Sequence, residues 1–299
     1  MKTAVNVLFK AQHIPGGLEA VFGPAGIPLD LAKVQDFMLQ RKRQIWVELT
    51  LDETDERMSL LLDLLEDRGI SWLERRYDCF TDDELESSPL LMMSYDVNAT
   101  VFGGPRMGTT YDMSDACKRC GAGARQTSAM VIEGEYLDKL EGRRAATTPY
   151  DDVLIDEKLA DLLAQSGATG LSFRGMFAAF EKRGHFQLPW RQLSATHTMP
   201  PMSPRSTGIE RDNPCSCGRS GFYLTPKIPN RLVYRAADLA HKHDVNVTWE
   251  WFGDVHFEGD VSDALFPYPL FLVTPKVWRI FRDAGVTGFD WIPIRIDED

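Results

Sequence analysis

Four of the five cysteines of this 299-residue chain fall in two short knuckles, Cys117-Lys118-Arg119-Cys120-Gly121 and Cys215-Ser216-Cys217-Gly218, far apart in sequence. No other feature constrains the fold as much, because thiols at this spacing can grip one metal ion and so oblige the intervening chain to return to its start. Two thiolates two or three residues apart hold one side of a tetrahedral ion, and a glycine after them lets the backbone turn until its amides point at the sulfurs. Closing the long loop costs entropy that grows only logarithmically with length, whereas structural zinc contributes roughly 10 to 16 kcal/mol in small peptide sites. The expectation is one structural zinc site held by Cys117, Cys120, Cys215 and Cys217.

Other uses of these thiols are less consistent with their surroundings. A redox pair of the thioredoxin kind follows a strand and opens a helix, but Lys118-Arg119 runs into Gly121-Ala122-Gly123. Met1 to Lys10 lacks the long apolar core of a secretory signal, so a cytoplasmic, reducing location is expected and disulfides are not. The second knuckle has one residue between its thiols, which tightens the bite. If Cys215 or Cys217 drops out, His197 or an outside group has to replace it, and Cys79 is the spare thiol.

A chain of this length can bury a large core, as one elaborated domain or two. Its apolar share of 43% is ordinary for a globular protein, and no apolar run is long enough to span a bilayer. The net charge of -11 is concentrated: residues 51 to 100 carry 14 acidic residues against four arginines. Such a surface disfavours nucleic acid and suits a basic protein partner, with Asp52, Glu53, Asp55, Glu56, Asp82, Asp83 and Glu84 as candidate contacts. The same residues also suit the solvated first turns of helices.

Hydrophobic periodicity predicts a strand at 4–9, a loop at 15–28, a helix at about 29–43, a strand at 45–50, a helix at 58–67 and a strand at 71–79. Leu154 to Phe173 and Leu272 to Trp291 then read alike at an offset of 118 residues: a capping position at Asp156 or Thr274, a short amphipathic helix, a glycine stop and an alternating strand. The proline-rich stretch Phe177 to Arg219 reads as extended surface linker, Arg231 to Asp244 as helix, and Asn246 to Phe252 as a strand whose tryptophans pack a sheet face. The expected fold class is α+β, with mixed sheets, flanking helices and two pseudo-repeated helix-strand units joined by the cysteine site. The expected division is 1–100 and 101–299.

A catalytic role finds little support. His256-Phe257-Glu258 matches one element of zinc deaminases, but there the cysteine element follows the histidine, with two residues between its thiols, and here it precedes it. His241 and His243 fall two apart on the expected helix and diverge. Neither a phosphate-cradling loop nor a nucleophile elbow is present in the sequence.

Cys-x-x-Cys-Gly, then the strand and helix of Leu154 to Phe173, then a second knuckle preceded by proline and followed by Gly-Arg-x-Gly, then a terminal helix and strand resembles the double-CxxCG motif proteins, over about residues 105 to 296. The resemblance implies an immunity protein of a bacterial polymorphic toxin system, not an enzyme, that binds a cognate toxin in the cytoplasm. Only the four knuckle cysteines carry over as site residues; the Cys-x-Cys of the second knuckle departs from the family pattern, and residues 1 to about 100 lie outside it. In that role zinc would hold the binding surface rigid, acidic residues would speed encounter with a basic toxin face, and Trp46 or Trp72 could anchor the interface if not needed in the core. The alternatives are a structural zinc adaptor in another assembly or a metal-dependent enzyme.

Overall fold

The computed structural model describes residues 2–39, 42–95, 100–181, 184–253 and 267–297. The chain divides into two compact units, one of residues up to Thr81 together with Thr225–Asn230, the other of Asp82–Leu224 and Arg231–Asp299. The division thus falls nearer residue 81 than 100, and a six-residue loop from the later sequence belongs to the first unit.

In the first unit, strands β1 (Lys2–Lys10), β2 (Ala32–Leu39), β3 (Lys42–Asp52) and β4 (Trp72–Cys79) form an antiparallel sheet in the order β2-β3-β1-β4. Short helix α1 (Glu19–Phe22) and helix α2 (Glu56–Asp67) help build one core with it. Asp55 caps α2 by accepting from the Arg57 amide, and Met58, Leu61 and Leu65 recur at helical spacing to fill that core with Val7, Phe9, Val47 and Leu49. Trp72 packs against its edge, whereas Trp46 lies beneath the Lys10 ammonium, 4.9 Å from it.

The helix expected at 29–43 is absent from the described residues there. Only Leu29–Leu31 makes a turn of 3-10 helix, and β2 pairs with β3 from Ala32↔Leu49 to Leu39↔Lys42. Lys33, Val34 and Gln35 all stay exposed on this edge strand, so pairing with a long neighbour rather than a buried face outweighs weak helical propensity.

The second unit contains helix α3 (Asp82–Ser87) and strands β5 (Leu91–Tyr95), β6 (Tyr111–Asp112), β7 (Arg125–Gln126), β8 (Met130–Glu133), β9 (Ala145–Thr147) and β10 (Val153–Asp156). There follow α4 (Glu157–Gln165), β11 (Leu171–Phe180), β12 (Gly184–Ala195), β13 (Ile209–Arg211), β14 (Ser220–Leu224), β15 (Val233–Arg235) and β16 (Val245–Phe252). The chain ends with β17 (Tyr268–Val273), α5 (Pro275–Asp283), β18 (Phe289–Pro293) and β19 (Arg295–Asp297). Two mixed sheets dominate, ordered β8-β11-β12-β10-β9 and β13-β14-β16-β17-β5-β18, with small pairs β6-β7 and β15-β19. The α+β class holds.

One device recurs three times. Units β3-α2-β4, β10-α4-β11 and β17-α5-β18 each place a helix between two parallel strands that flank a third, antiparallel one: β1, β12 and β5 respectively. Strands two places apart lie about 10 Å apart, close to the diameter of a helix, so the crossover closes without strain. The two later copies are the segments that read alike in sequence, and they brace each other. Arg144, ahead of the first, donates to the Ala284 carbonyl at the end of α5, while Asp244, ahead of the second, accepts from the Thr169 amide beyond α4. Their caps differ. Asp156 accepts from the Leu159 amide as expected, but the Thr274 hydroxyl turns away from its helix and donates to Asp244.

Two other expectations fail here. Phe177 to Arg219 is no surface linker in its first half, where β11 and β12 make a long hairpin at the centre of a sheet. Pro189 is tolerated because it falls in a bulge opposite Gly175 and Met176, where no ladder amide is required. Arg231 to Asp244 contains β15 and a 3-10 turn at Ala236–Leu239 rather than a helix.

Candidate metal centre

Each knuckle hangs from a small antiparallel pair. The first lies between β6 and β7, where the Cys117 amide donates to Ala122 O and the Gly121 amide to Cys117 O. The second lies between β13 and β14, where the Cys215 amide donates to Ser220 O and the Gly218 amide to Cys215 O. Gly121 and Gly218 take φ of 73° and 79°, the left-handed turn their position after the thiols demands.

The four sulfurs converge. Cys117 Sγ lies 3.6 Å from Cys215 Sγ, Cys120 Sγ lies 3.6 Å from Cys217 Sγ, and all four are within 4.8 Å of one another. A zinc–sulfur bond of about 2.3 Å puts tetrahedral sulfurs roughly 3.8 Å apart, so the quartet has the size of a tetrathiolate site. The tight Cys215-Ser216-Cys217 bite is accommodated because its two sulfurs face different partners in the first knuckle. Neither His197 nor Cys79 takes part: the His197 ring lies against His243, with centroids 4.8 Å apart, and Cys79 is an exposed residue of β4.

The surroundings favour ionised sulfur at Cys215 and oppose it, through burial, at Cys120 and Cys217. Burial raises the Cys215 thiol, but the Cys217 amide and neighbouring thiols outweigh this and bring it down to about 7. Burial dominates at Cys120 and pushes it up to about 12. Four thiolates this close repel one another, so full ionisation calls for a cation among them. The buried Ser220 hydroxyl sits beside Cys120, where it lowers that thiol, and has no other hydrogen-bonding partner, so it is placed to donate to a metal-bound thiolate. Arg219, immediately after the second knuckle, donates from Nε to Trp249 O and stacks over Trp249 and Trp251 at 5.5 and 5.8 Å. Its charge would offset part of the negative charge of four thiolates around a divalent cation. Trp251 also packs directly on Cys120 and Cys215. Arg219, Ser220 and Trp251 were not singled out from the sequence, although Arg219 and Ser220 sit inside the Gly-Arg-x-Gly segment.

The acidic candidates are spread over both units and largely serve local structure. Asp52 accepts from the Thr54 amide and hydroxyl, Glu53 pairs with Arg76, and Asp55 caps α2 and binds Arg57. Glu56 occupies the first turn of α2, and Asp82, Asp83 and Glu84 that of α3, with Asp82 3.5 Å from Arg282. His256 and Glu258 lie outside the described residues.

Set against known proteins, the chain matches no family model and no curated protein. Among the described residues no helix is long and apolar enough to cross a membrane.

Proposed function

We propose that the quartet holds a structural zinc ion and that the protein works by binding rather than by reaction, as an immunity protein that neutralises a cognate bacterial toxin in the cytoplasm. The observation that carries this is the completeness of the thiol set. Four sulfurs within 4.8 Å fill every position of a tetrahedral ion, which leaves no vertex for water or substrate. Zinc there supplies cohesion: it ties the β6-β7 turn to the β13-β14 turn and keeps the surrounding surface rigid, so that less ordering entropy is lost on association. The similarity of both knuckles and their flanking segments to double-CxxCG immunity proteins supplies the partner class.

The test is functional. The chain is co-expressed with the product of the neighbouring gene, and growth and co-purification are followed. Rescue of growth together with a stable complex is expected. A neighbour that is not toxic, or a toxin neither bound nor neutralised, sinks the proposal.

A further inference from the structure

A cavity of about 530 Å³ opens within the second unit, between the β11-β12 hairpin and β16-β17, with Gly123, Ala124 and Arg219 of the cysteine turns along one side. Its lining is chemically lopsided. Arg174, half-buried on β11, is fixed by neutral acceptors: Nη1 donates to Ser194 Oγ at 3.0 Å and Nη2 to Gln126 O at 2.9 Å. Among the described residues no carboxylate pairs with it within 4.0 Å. A guanidinium anchored at two corners by neutral groups, with buried Asp152 near enough to feel its charge but not bonded to it, keeps further donors for an oxyanion, since its fork matches carboxylate and phosphate oxygens.

Two carboxyl groups do line the same cavity, and neither is bonded to Arg174. Asp152 accepts from Gln192 Nε2 at 2.8 Å and from Thr148 Oγ1 at 2.7 Å. Asp151, in the left-handed backbone region with φ of 58°, is opposed by the Tyr95 hydroxyl and keeps one carboxyl oxygen, Oδ1, sealed from solvent. Burial raises Asp151 to about 7 and Asp152 to about 6, so near neutrality this end of the cavity carries less than its formal charge. The lining also carries the aromatic residues Tyr111, Trp251 and Phe271.

We propose that this cavity binds a small organic anion, its carboxylate or phosphate group on Arg174 and Ser194 and an apolar ring against Trp251 and Tyr111. The site is independent of toxin binding and stands or falls separately from it.

Calorimetric titration of the full chain, purified with zinc, tests this with four probes: phenyl phosphate, 4-hydroxyphenylacetate, inorganic phosphate and benzamidine. Saturable binding of one aromatic anion at one site per chain is expected, and which one binds decides between phosphate and carboxylate. Arg174→Gln should weaken it by roughly tenfold or more, and Arg174→Lys by less. Circular dichroism and zinc content serve as folding controls; should the Arg174 variants misfold, Ser194→Ala is expected to cost a few-fold in affinity. The proposal is overturned if neither aromatic anion saturates, if benzamidine or inorganic phosphate binds as tightly, or if folded Arg174→Gln binds unchanged.

Discussion

Among the described residues, the first unit gathers its apolar side chains in one cluster in which β1, β3 and α2 share Val7, Phe9, Leu49, Leu61 and Leu65. The second divides its buried apolar residues into separate clusters, one around Met92, Tyr234 and Leu272, another around Met130, Ile132 and Leu154, and a third made of the cysteines with Trp251. Buried polar residues such as Gln192, Asn246, Thr248 and Glu250 also belong to this unit. Both use the same split strand-helix-strand device. The contrast teaches that a small sheet can be held by one core, whereas a unit whose apolar residues are divided would gain from the tie that a metal on the four thiols would make between the β6-β7 and β13-β14 turns.

The largest expected effect follows from cutting that tie. Cys120→Ser, or a strong chelator, should strip the metal and expose the β6-β7 and β13-β14 amides to hydrogen exchange, while β1, β3 and α2 keep their protection; uniform loss throughout would erase the distinction between the units. The converse is Leu61→Ala, which should destabilise the first unit by about 3 kcal/mol in chemical denaturation and leave zinc content unchanged. Loss of zinc in that variant would mean that the units fold as one.

Acid titration separates the units further. Asp151 ionises near 7 when folded and near its ordinary 3.8 when unfolded, so between those values the folded chain holds a proton that the unfolded chain has released. Its contribution to stability is therefore full below about 4 and is lost as pH rises through 7. Asp151→Asn should remove this decline and exceed the wild type at pH 8 by roughly 4 kcal/mol, the gain shrinking towards pH 5. A gain equal at both pH values contradicts the assignment. The smallest effects concern the caps: Asp156→Ala should cost about 1 kcal/mol through loss of a true helix cap, and Thr274→Ala about 0.5 kcal/mol through loss of a hydroxyl bond to Asp244, each read from thermal unfolding.

Legibility in the sequence followed the range of the signal. The quartet was readable because each thiol pair sits within a few residues of a turn glycine, and α2, α4 and α5 because their apolar spacing is local. β2 reads as helix in sequence because its partner strand, not its own propensity, decides it. β12 was hidden by Pro189, which only the bulge opposite Gly175 makes acceptable. The Arg174 cavity was invisible because its walls come from well-separated segments; adjacent Asp151-Asp152 before an apolar strand was its one local trace.

The central claim is that Cys215 and Cys217, one residue apart, both bind the same ion as Cys117 and Cys120. X-ray absorption at the zinc edge on the purified chain tests it most directly. Four sulfur neighbours at about 2.3 Å around one zinc per chain are predicted. Three sulfurs with a nitrogen or oxygen at about 2.0 Å, or no stoichiometric metal at all, would contradict it.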